Sequence, residues 1–386
     1  MNIKTISKED WLKLFKLNNI SFSKFLDTYK IKSLKTIKNL KDVSKEKGLK
    51  KEDLKILYFY FVENKKNYLE SFYNKSLNID YDYDLTKIKK ISLNNSVNLR
   101  YKNLIRNIYY DDLLFYTKTD IKGLRPFLEV IMDLFNNRLI DYKLVTPCAI
   151  SMMKKNIFSC MLSGFYFRSS ILNPSVIYTL SKKYLKGSKV FTPTLGWSSY
   201  MYGFLSDPKI THYVGTDVLK NVCSNTKKLS KKMFPDKTVD IYCSQSELLG
   251  DNKTFMSKYK SFFDIIFFSP PYYKLELYRG AKQSTRLYDS YDDWLEKYWE
   301  ETIKLCKKVI KKNGILVYII SNYDKNVDMN KDMNNITKKF FKYKKKYNLN
   351  NTNVNFTEHK EANEVIYIYL IKYNILVQDI LLILNI

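Results

Sequence analysis

The stretch 263–272, FDIIFFSPPY, joins a short apolar run to a polar corner and decides the fold more than any other part of the sequence. Phe263–Phe268 has the length and apolar character of a buried strand. Because proline cannot donate to a strand ladder, the prolines at 270 and 271 predict that the strand ends before them. Ligands of open α/β sheets bind at the carboxyl ends of the strands. Residues 269–272 are therefore predicted to form a rigid corner at the edge of a binding site.

From about residue 166 onwards, the sequence alternates between predicted strands and predicted helices. The strands are predicted at 188–192, 211–215, 238–242, 263–268 and 314–320, and the helices at 199–205, 218–234 and 291–311. Such alternation predicts a parallel sheet covered on both faces. Residues 353–357 and 365–371 are predicted to close the sheet as an antiparallel pair, and the Lys- and Asn-rich segment 338–351 to lead into that pair as an exposed segment.

The first 75 residues are strongly basic and have a helical pattern. They contain 18 Lys, 9 acidic residues and no Arg. Apolar residues at helical spacing predict one amphipathic helix over 51–73, and Ser7 is predicted to cap an earlier helix that starts near Glu9. A further helix is predicted over 124–139. This basic region is either a helical domain with a solvated face or a module that docks on DNA.

The net charge of +27 is typical of proteins that bind polyanions, and nucleic acid is the first candidate. Only 7 of the 66 basic residues are Arg, and Lys, Asn, Ile and Tyr are abundant, which also indicates an AT-rich genome. Such a genome raises the Lys content whatever the function.

The scattered cysteines and scarce histidines limit the chemistry. Five cysteines without a C-x-x-C pair do not form a zinc motif or a disulfide framework, so no metal is predicted and a reducing, intracellular compartment such as the cytoplasm is expected. Two histidines argue against a His-based triad. Charges throughout residues 1–20 argue against a signal peptide, and the apolar tail 374–386 is too short to span a bilayer and is predicted to pack on the protein.

Polar residues follow the predicted strands where a nucleotide-type cofactor would bind. Gly196 lies between the first strand and its helix, where it either lets the backbone approach a ligand closely or makes a plain tight turn. Asp217, 21 residues later, has the spacing of an acid that binds ribose hydroxyls, although it could also cap the helix 218–234. Ser244 and Gln245 follow the third strand, either beside an adenine ring or in a polar turn.

The corner at 269–272 suits the activation of an amino group on a nucleobase. The exocyclic nitrogen of cytosine or adenine is a poor nucleophile because its lone pair is delocalised into the ring. Ser269 Oγ and the Pro270 carbonyl can accept its two hydrogens, and both prolines keep that carbonyl rigid. Tyr272 offers a flat face to a base pulled out of the helix. The structural alternative is that the two prolines only terminate the strand.

With these residues, the chain resembles the S-adenosylmethionine-dependent DNA methyltransferases that modify amino groups. The Ser-Pro-Pro-Tyr form is similar to the cytosine-N4 branch, whereas adenine-N6 enzymes usually carry Asp or Asn first. The resemblance covers about 165–371 and implies an α/β, Rossmann-like class I methyltransferase fold with a mainly parallel seven-stranded sheet, preceded by a helical N-terminal region. The residues after the corner resemble a phage- or virus-type subgroup, namely Glu276, Tyr278, Gln283, Tyr291 and Trp294.

The resemblance also implies roles for individual residues. S-adenosyl-L-methionine would be bound by Arg168, Asn173, Thr192, Pro193, Gly196, Asp217, Ser244 and Gln245. The catalytic corner would be Ser269, Pro270, Pro271 and Tyr272, and the target strand would be reached by Tyr278, Arg279 and Gln283. The cofactor loop departs from the family pattern Asp-Pro-x-x-Gly-x-Gly, because Thr192 replaces the Asp and Ser198 replaces the second Gly.

The predicted function is methylation of an exocyclic amino group on a base flipped out of double-stranded DNA, cytosine N4 in preference to adenine N6. One alternative is a catalytically weakened methyltransferase-fold protein that acts as a nucleic-acid-binding or assembly subunit. Another is an enzyme that acts on RNA or a protein amide. The predicted domains are a basic helical region at 1–80, a connecting region at 81–160, the catalytic domain at 161–373 and the packing tail at 374–386.

Overall fold

The computed structural model describes residues 3, 5–79, 81–89, 91–118, 125–166, 170–278, 280, 282–322, 327–351 and 364–372. They form two compact units, each assembled from separate pieces of chain. The N-terminal unit comprises the described residues within 1–80, 106–170 and 274–279, and the sheet unit comprises those within 81–105, 171–273 and 280–386. The sequence pattern did not indicate this interleaving, and the predicted domains 1–80, 81–160 and 161–373 stay a prediction. The predicted tail 374–386 lies outside the described residues.

The regular elements are numbered in chain order. The strands are β1 Lys30–Lys32, β2 Ile37–Asn39, β3 Leu139–Asp141, β4 Lys189–Thr192, β5 His212–Asp217, β6 Thr238–Cys243, β7 Phe263–Phe268, β8 Ile310–Ile320, β9 Phe341–Leu349 and β10 Glu364–Ile371. The α-helices are α1 Lys8–Lys13, α2 Phe22–Thr28, α3 Leu40–Glu46, α4 Lys51–Tyr58, α5 Lys65–Leu77, α6 Leu99–Ile108, α7 Tyr110–Phe115, α8 Phe127–Asn136, α9 Pro147–Lys154, α10 Phe158–Tyr166, α11 Pro174–Tyr184, α12 Ser199–Leu205, α13 Lys220–Met233, α14 Lys253–Tyr259, α15 Ser284–Leu287, α16 Tyr291–Trp294, α17 Glu301–Val309 and α18 Met329–Phe340.

The sheet unit is built on seven strands in the order β6-β5-β4-β7-β8-β10-β9. The first five are parallel, and β10 is antiparallel to both of its neighbours, β8 and β9. Apolar runs such as Phe263–Phe268 are buried because helices cover the sheet, as the alternation of elements predicted. The predicted α/β fold with a mainly parallel seven-stranded sheet is therefore confirmed.

The closing strands differ from the sequence prediction. Most of the segment 338–351 is exposed, as predicted, but the sequence did not indicate that Phe341–Leu349 forms β9, which pairs along its length with β10. Phe341 and Leu349 are buried at the two ends of β9, while the lysines between them are mostly exposed at the free edge of the sheet. Lysines on an edge strand discourage pairing with other chains. They also interrupt the apolar alternation by which a strand is predicted from sequence. The predicted strand 353–357 lies outside the described residues.

The N-terminal unit is mostly helical, as predicted, and carries a small sheet in the order β2-β1-β3. Ser7 caps α1 by accepting a hydrogen bond from the Asp10 N–H at 3.0 Å, which confirms the predicted start of that helix. The helix predicted over 51–73 is divided into α4 and α5 by a π-helical turn at Phe59–Glu63. The core includes Trp11, whose Nε1 donates to the Leu69 carbonyl at 3.1 Å.

The order of the strands positions the site within the sheet unit. β4 pairs with β7 on one side and with β5 on the other, so the carboxyl ends of these three parallel strands lie at the same edge. The loops that leave that edge contain the residues predicted to bind the cofactor and the target base. No helix in the described part of the chain has both the length and the apolar character needed to cross a membrane.

Candidate functional site

The loop after β4 and the corner after β7 lie side by side. Val190 and Phe191 of β4 pair with Ile265 and Ile266 of β7, so the two strands deliver their following residues to neighbouring positions. Thr194 Oγ1 donates a hydrogen bond to the Ser269 carbonyl at 3.3 Å. The predicted cofactor loop and the predicted catalytic corner are thus in direct contact.

Tyr200 of α12 holds the backbone of the corner through two hydrogen bonds with Ser269. Its hydroxyl accepts a hydrogen bond from the Ser269 N–H at 3.2 Å and lies 3.4 Å from the Ser269 carbonyl, to which it donates. The ring packs edge-on against Phe267, with the centroids 5.1 Å apart. Burial raises the pKa of Tyr200 to about 12, so the hydroxyl keeps the proton that it donates. The sequence pattern did not indicate this residue.

Gly196 occupies a position where a side chain would collide with Tyr200. Its φ is +51°, and a Cβ built there would lie 2.3 Å from Tyr200 Cζ. Trp197 and Ser198 continue in the left-handed region with φ of 58° and 66°. Each such non-glycine residue costs about 1–2 kcal/mol. The Ser198 hydroxyl is buried 2.6 Å from Thr226 Oγ1, a hydrogen bond that a glycine there would lack.

Asp217 ties the loop after β4 to the loop after β5. Its Oδ2 accepts from the Leu195 N–H at 3.2 Å, and its Oδ1 accepts from the Leu219 N–H at 3.0 Å. The helix predicted over 218–234 begins at Lys220 with Leu219 in the capping position, so Asp217 is not its N-cap. Burial raises the pKa of Asp217 to about 6, although hydrogen bonds from the backbone amides of Leu219, Leu195 and Val218 favour the charged form.

The turn after β6 is polar and surrounds a buried carboxyl group. The Ser244 carbonyl accepts from Thr216 Oγ1 at 2.7 Å, and Gln245 Nε2 lies 3.4 Å from Glu247 Oε1. Tyr288 donates to the same Glu247 oxygen at 3.3 Å. Burial raises the pKa of Glu247. Ser244 and Gln245 therefore lie at the edge of the sheet where the sequence placed them, and their contact with an adenine ring stays a prediction.

Three other predicted cofactor residues are placed as follows. The Thr192 hydroxyl is fully buried 2.5 Å from the Tyr213 hydroxyl, and Pro193 is buried directly after it. Asn173 is also fully buried, where its Oδ1 accepts from the Ser175 N–H at 3.0 Å and its Nδ2 donates to the Val97 carbonyl at 2.6 Å. The protein satisfies both polar side chains, so their role in cofactor binding stays a prediction.

Arg168, the remaining predicted cofactor residue, lies outside the described residues. Among the residues that the structure does describe, no group of three His, Cys, Asp or Glu side chains is placed to hold a metal ion.

The corner itself offers hydrogen-bond acceptors beside an aromatic ring. Pro270 is buried and Pro271 is partly buried, and no donor among the described residues bonds to the Pro270 carbonyl. The Tyr272 hydroxyl accepts from Ser321 Oγ at 3.4 Å. Burial raises the pKa of Tyr272 more than hydrogen bonds from Ser321 and Ser269 lower it. A Ser269 hydroxyl that donates to Tyr272 keeps its lone pairs as acceptors.

Glu364 is a partly buried acid near the corner that the sequence pattern did not indicate. Because β10 is antiparallel to β8, its first residues lie beside the carboxyl end of β8, with Val365 opposite Ile320. Asn351 Nδ2 donates to Glu364 Oε2 at 2.7 Å. Burial raises the pKa of Glu364, and this carboxyl group in turn raises the pKa of Tyr272.

The three residues predicted to reach the target strand are divided between the two units. Tyr278 belongs to the N-terminal unit, where it donates to a Glu276 carboxylate oxygen that also accepts from the Ser170 N–H at 3.1 Å. Gln283 belongs to the sheet unit, is buried, and donates to the Gly280 carbonyl at 3.0 Å. Arg279 lies outside the described residues. Contact of these residues with a substrate stays a prediction.

Known proteins were compared with the chain by family model, by sequence and by structure. No family model and no curated protein matches the sequence. Among solved structures, a putative type 11 methyltransferase from Sulfolobus solfataricus is 13% identical with a TM-score of 0.30, and the match covers 49% of this chain and 87% of that one. TrmN from Thermus thermophilus is 9% identical with a TM-score of 0.37, covering 53% and 50%. A methyltransferase homolog protein from Pyrococcus horikoshii is 16% identical with a TM-score of 0.34, covering 53% and 66%.

At these TM-scores the likenesses carry no functional argument. The fold assignment rests on the larger sheet, whose five parallel strands have the helix connections of an α/β protein and whose last two strands form an antiparallel hairpin. With this sheet, the chain has the predicted Rossmann-like α/β fold with seven mainly parallel strands.

Proposed function

We propose that this protein transfers a methyl group from S-adenosylmethionine to an exocyclic amino group of a DNA base that is flipped out of the duplex, cytosine N4 in preference to adenine N6. The observation that supports this most is the corner at 269–272. It projects from the carboxyl end of β7 with its backbone fixed by Tyr200 and Thr194, and it contacts the loop after β4.

The residues of the corner have separate tasks in the proposed reaction. Ser269 Oγ and the Pro270 carbonyl each accept a hydrogen bond from the amino group, which favours localisation of the lone pair on the nitrogen. Tyr272 stacks on the base and fixes its plane. Because the prolines and Tyr200 hold these groups before the substrate arrives, positioning supplies most of the acceleration and no strong base is required.

The loops beside the corner fit the proposed cofactor. S-adenosylmethionine, when bound, supplies an electrophilic methyl group. A carboxylate has about four acceptor positions, and Asp217 uses three of them for the backbone amides of Leu195, Val218 and Leu219, so it can still accept one ribose hydroxyl. The left-handed turn at 196–198 and the polar turn at Ser244 and Gln245 flank it at the same edge of the sheet.

Cofactor affinity is expected to depend on the protonation of Asp217. The charged form accepts hydroxyl donors, and its pKa is about 6 in the folded protein, so affinity should rise with pH through 6 and fall about tenfold per unit well below it. Asp217→Asn is expected to weaken binding by about 10- to 100-fold, as expected for hydrogen bonds to a charged group, and to remove the pH dependence between 5 and 7. Calorimetric titration with S-adenosylmethionine measures both effects.

Stability should change with pH in the opposite direction. Because burial raises the pKa of Asp217 above the unfolded value of 3.8, this group stabilises the fold most below pH 3.8, and that contribution is lost as the pH rises through 6. The control for the binding experiment is Asp236→Asn, which changes an exposed acid of the same unit and should bind S-adenosylmethionine as the unchanged protein does. An unaltered pH profile in Asp217→Asn would remove Asp217 from the cofactor site.

The proposed function is tested by incubating the full chain with methyl-labelled S-adenosylmethionine and either double-stranded DNA or RNA. We expect label in the DNA. The DNA affinity should fall steeply as salt increases, because lysines that neutralise phosphates release counterions from the DNA. Label in RNA alone would contradict the proposed substrate. DNA binding without cofactor binding at millimolar concentration would instead support a non-catalytic nucleic-acid-binding subunit.

A further inference from the structure

The N-terminal unit contains a cavity of about 550 Å³ that the proposed methyl transfer does not use. Its walls are the loop after α1, the start of α5 and the segment that joins α8 to β3. Five cationic side chains line it, and the one carboxylate among the lining residues, Glu9, is exposed. The cations are Lys13, Lys16, Lys65, Lys66 and Arg138.

Lys65 is a buried cation without a counter-charge. It is only 4% exposed, and its Nζ donates to the Asn18 carbonyl at 2.6 Å. Within the described residues no carboxylate forms an ion pair with it. Burial lowers the pKa of Lys65, and the positive charge of Arg138 lowers it further. A buried charge is costly unless an opposite charge or a metal compensates it. The arrangement therefore favours an anion in this cavity.

The helix that starts at the cavity adds to the positive potential. α5 begins with Lys65 and Lys66, and Asn64 provides no side-chain cap. Basic residues in a first turn oppose the helix dipole, which favours negative charge at that end. An anion bound here would offset both the dipole and the two ammonium groups.

Three other cations of the same unit form ion pairs with carboxylates. Lys32 lies 2.7 Å from Asp133, Lys154 lies 2.6 Å from Asp53, and Arg125 also pairs with Asp133. In the described part of the chain, Arg138 has no such ion pair. Of the cations that line the cavity, Lys13 pairs with Asp10 at 3.0 Å, whereas no described carboxylate pairs with Lys65 or Arg138.

Hydrogen bonds from neighbouring residues fix the walls of the cavity. Asn136 accepts from the Lys16 N–H and donates to the Leu14 carbonyl, each at 2.8 Å, and so holds the loop after α1. The Arg138 carbonyl accepts from the Lys30 N–H at 3.0 Å, which anchors that residue on the small sheet. Tyr29 and Phe15 add buried aromatic surface to the lining. The cavity therefore has fixed walls, and among the described residues no carboxylate forms an ion pair with the Arg138 guanidinium that lines it.

We propose that this cavity binds the phosphate of a nucleotide, with Arg138 and Lys65 as its direct partners. An Arg guanidinium can hold a phosphate through two parallel hydrogen bonds, while a Lys ammonium acts as a point charge. The volume lies within the range of small-molecule sites, which is about 300–1,000 Å³. The phosphate belongs to a free nucleotide or to a nucleic acid end or backbone, and the site does not depend on methyl transfer.

The test is calorimetric titration of the full chain with 5′-AMP, inorganic phosphate and adenosine. AMP and phosphate are expected to bind in the cavity, whereas any adenosine that binds at the proposed cofactor site should bind Arg138→Asn unchanged. Arg138→Asn should weaken AMP binding about tenfold or more, since Asn tolerates the φ of 55° at this position and only the guanidinium is lost. Lys65→Met should do the same, with circular dichroism to check its folding. Lys24→Gln, which removes an exposed cation of the same unit, should change nothing.

Competition with a 12-nucleotide single strand identifies the source of the phosphate. Displacement of AMP by the strand assigns the cavity to nucleic acid, and unaffected AMP binding assigns it to free nucleotide. The proposal is overturned if AMP and phosphate do not bind, or if folded Arg138→Asn binds AMP unchanged.

Discussion

Ser269→Ala is expected to lower kcat/KM for methyl transfer to DNA by about 100- to 1,000-fold, the range found when one preorganised hydrogen-bonding group is removed from a developing charge. The variant loses the Oγ acceptor but keeps the backbone contacts with Tyr200 and Thr194. Cofactor affinity should therefore stay the same. Single-turnover rates with labelled cofactor, together with calorimetry, separate the two effects.

Substitution of Tyr272 tests the proposed stacking of its ring on the target base. Tyr272→Ala should lower kcat/KM by about 5- to 150-fold through the lost stacking, which is worth about 1–3 kcal/mol per base. Tyr272→Phe keeps the ring and should lose much less. Ser257→Ala, on the exposed surface of α14, is the matched control and should leave transfer unchanged. Full activity in both Ser269→Ala and Tyr272→Ala would remove the corner from the reaction.

Gly196→Ala is expected to lower the free energy of unfolding by about 2–5 kcal/mol, from left-handed strain and from overpacking. The new Cβ would lie 2.3 Å from Tyr200 Cζ, so the ring must move away from Ser269. Methyl transfer should be lost along with the fixed backbone of the corner. Urea denaturation of the unchanged protein and the variant measures the change in stability.

A double-mutant cycle shows whether Tyr200 is the cause. When Tyr200→Ala is combined with Gly196→Ala, the total loss of stability should be smaller than the sum of the single losses by about 1–3 kcal/mol. Gly250→Ala is the control, since a Cβ there meets only the flexible end of Lys308 at 3.2 Å. Additive losses for Gly196 and Tyr200 would contradict the role given to the ring.

The local sequence was sufficient to predict the bounds of those strands and helices whose apolar pattern is uninterrupted. Phe263–Phe268 and Ser199–Leu205 have the predicted bounds because a proline corner ends one and a glycine turn precedes the other. β9 escaped prediction because its lysines face solvent at a sheet edge, so it lacks an apolar face. The interleaving of the two units depends on contacts between distant pieces of chain, which local periodicity does not record.

The site was predictable where one short stretch carries the chemistry. The serine and the two prolines at 269–271 indicate a rigid acceptor corner without reference to any other residue. Tyr200 acts on Ser269 across 69 positions of sequence, and Glu364 reaches the site because β10 runs antiparallel to β8. Both depend on tertiary packing. The place of Thr192 in a family motif predicts a contact with the cofactor, which stays a prediction, and its buried hydrogen bond with Tyr213 could not be read from the motif.

The most direct test of the central claim is the identity of the methylated nucleoside. DNA treated with the full chain and methyl-labelled S-adenosylmethionine is digested to nucleosides, which are separated and identified by mass spectrometry. We predict labelled N4-methyldeoxycytidine, and its loss in Ser269→Ala. Label in 5-methyldeoxycytidine, or unlabelled DNA from a preparation that binds the cofactor, would contradict transfer to an amino group held by the corner at 269–272.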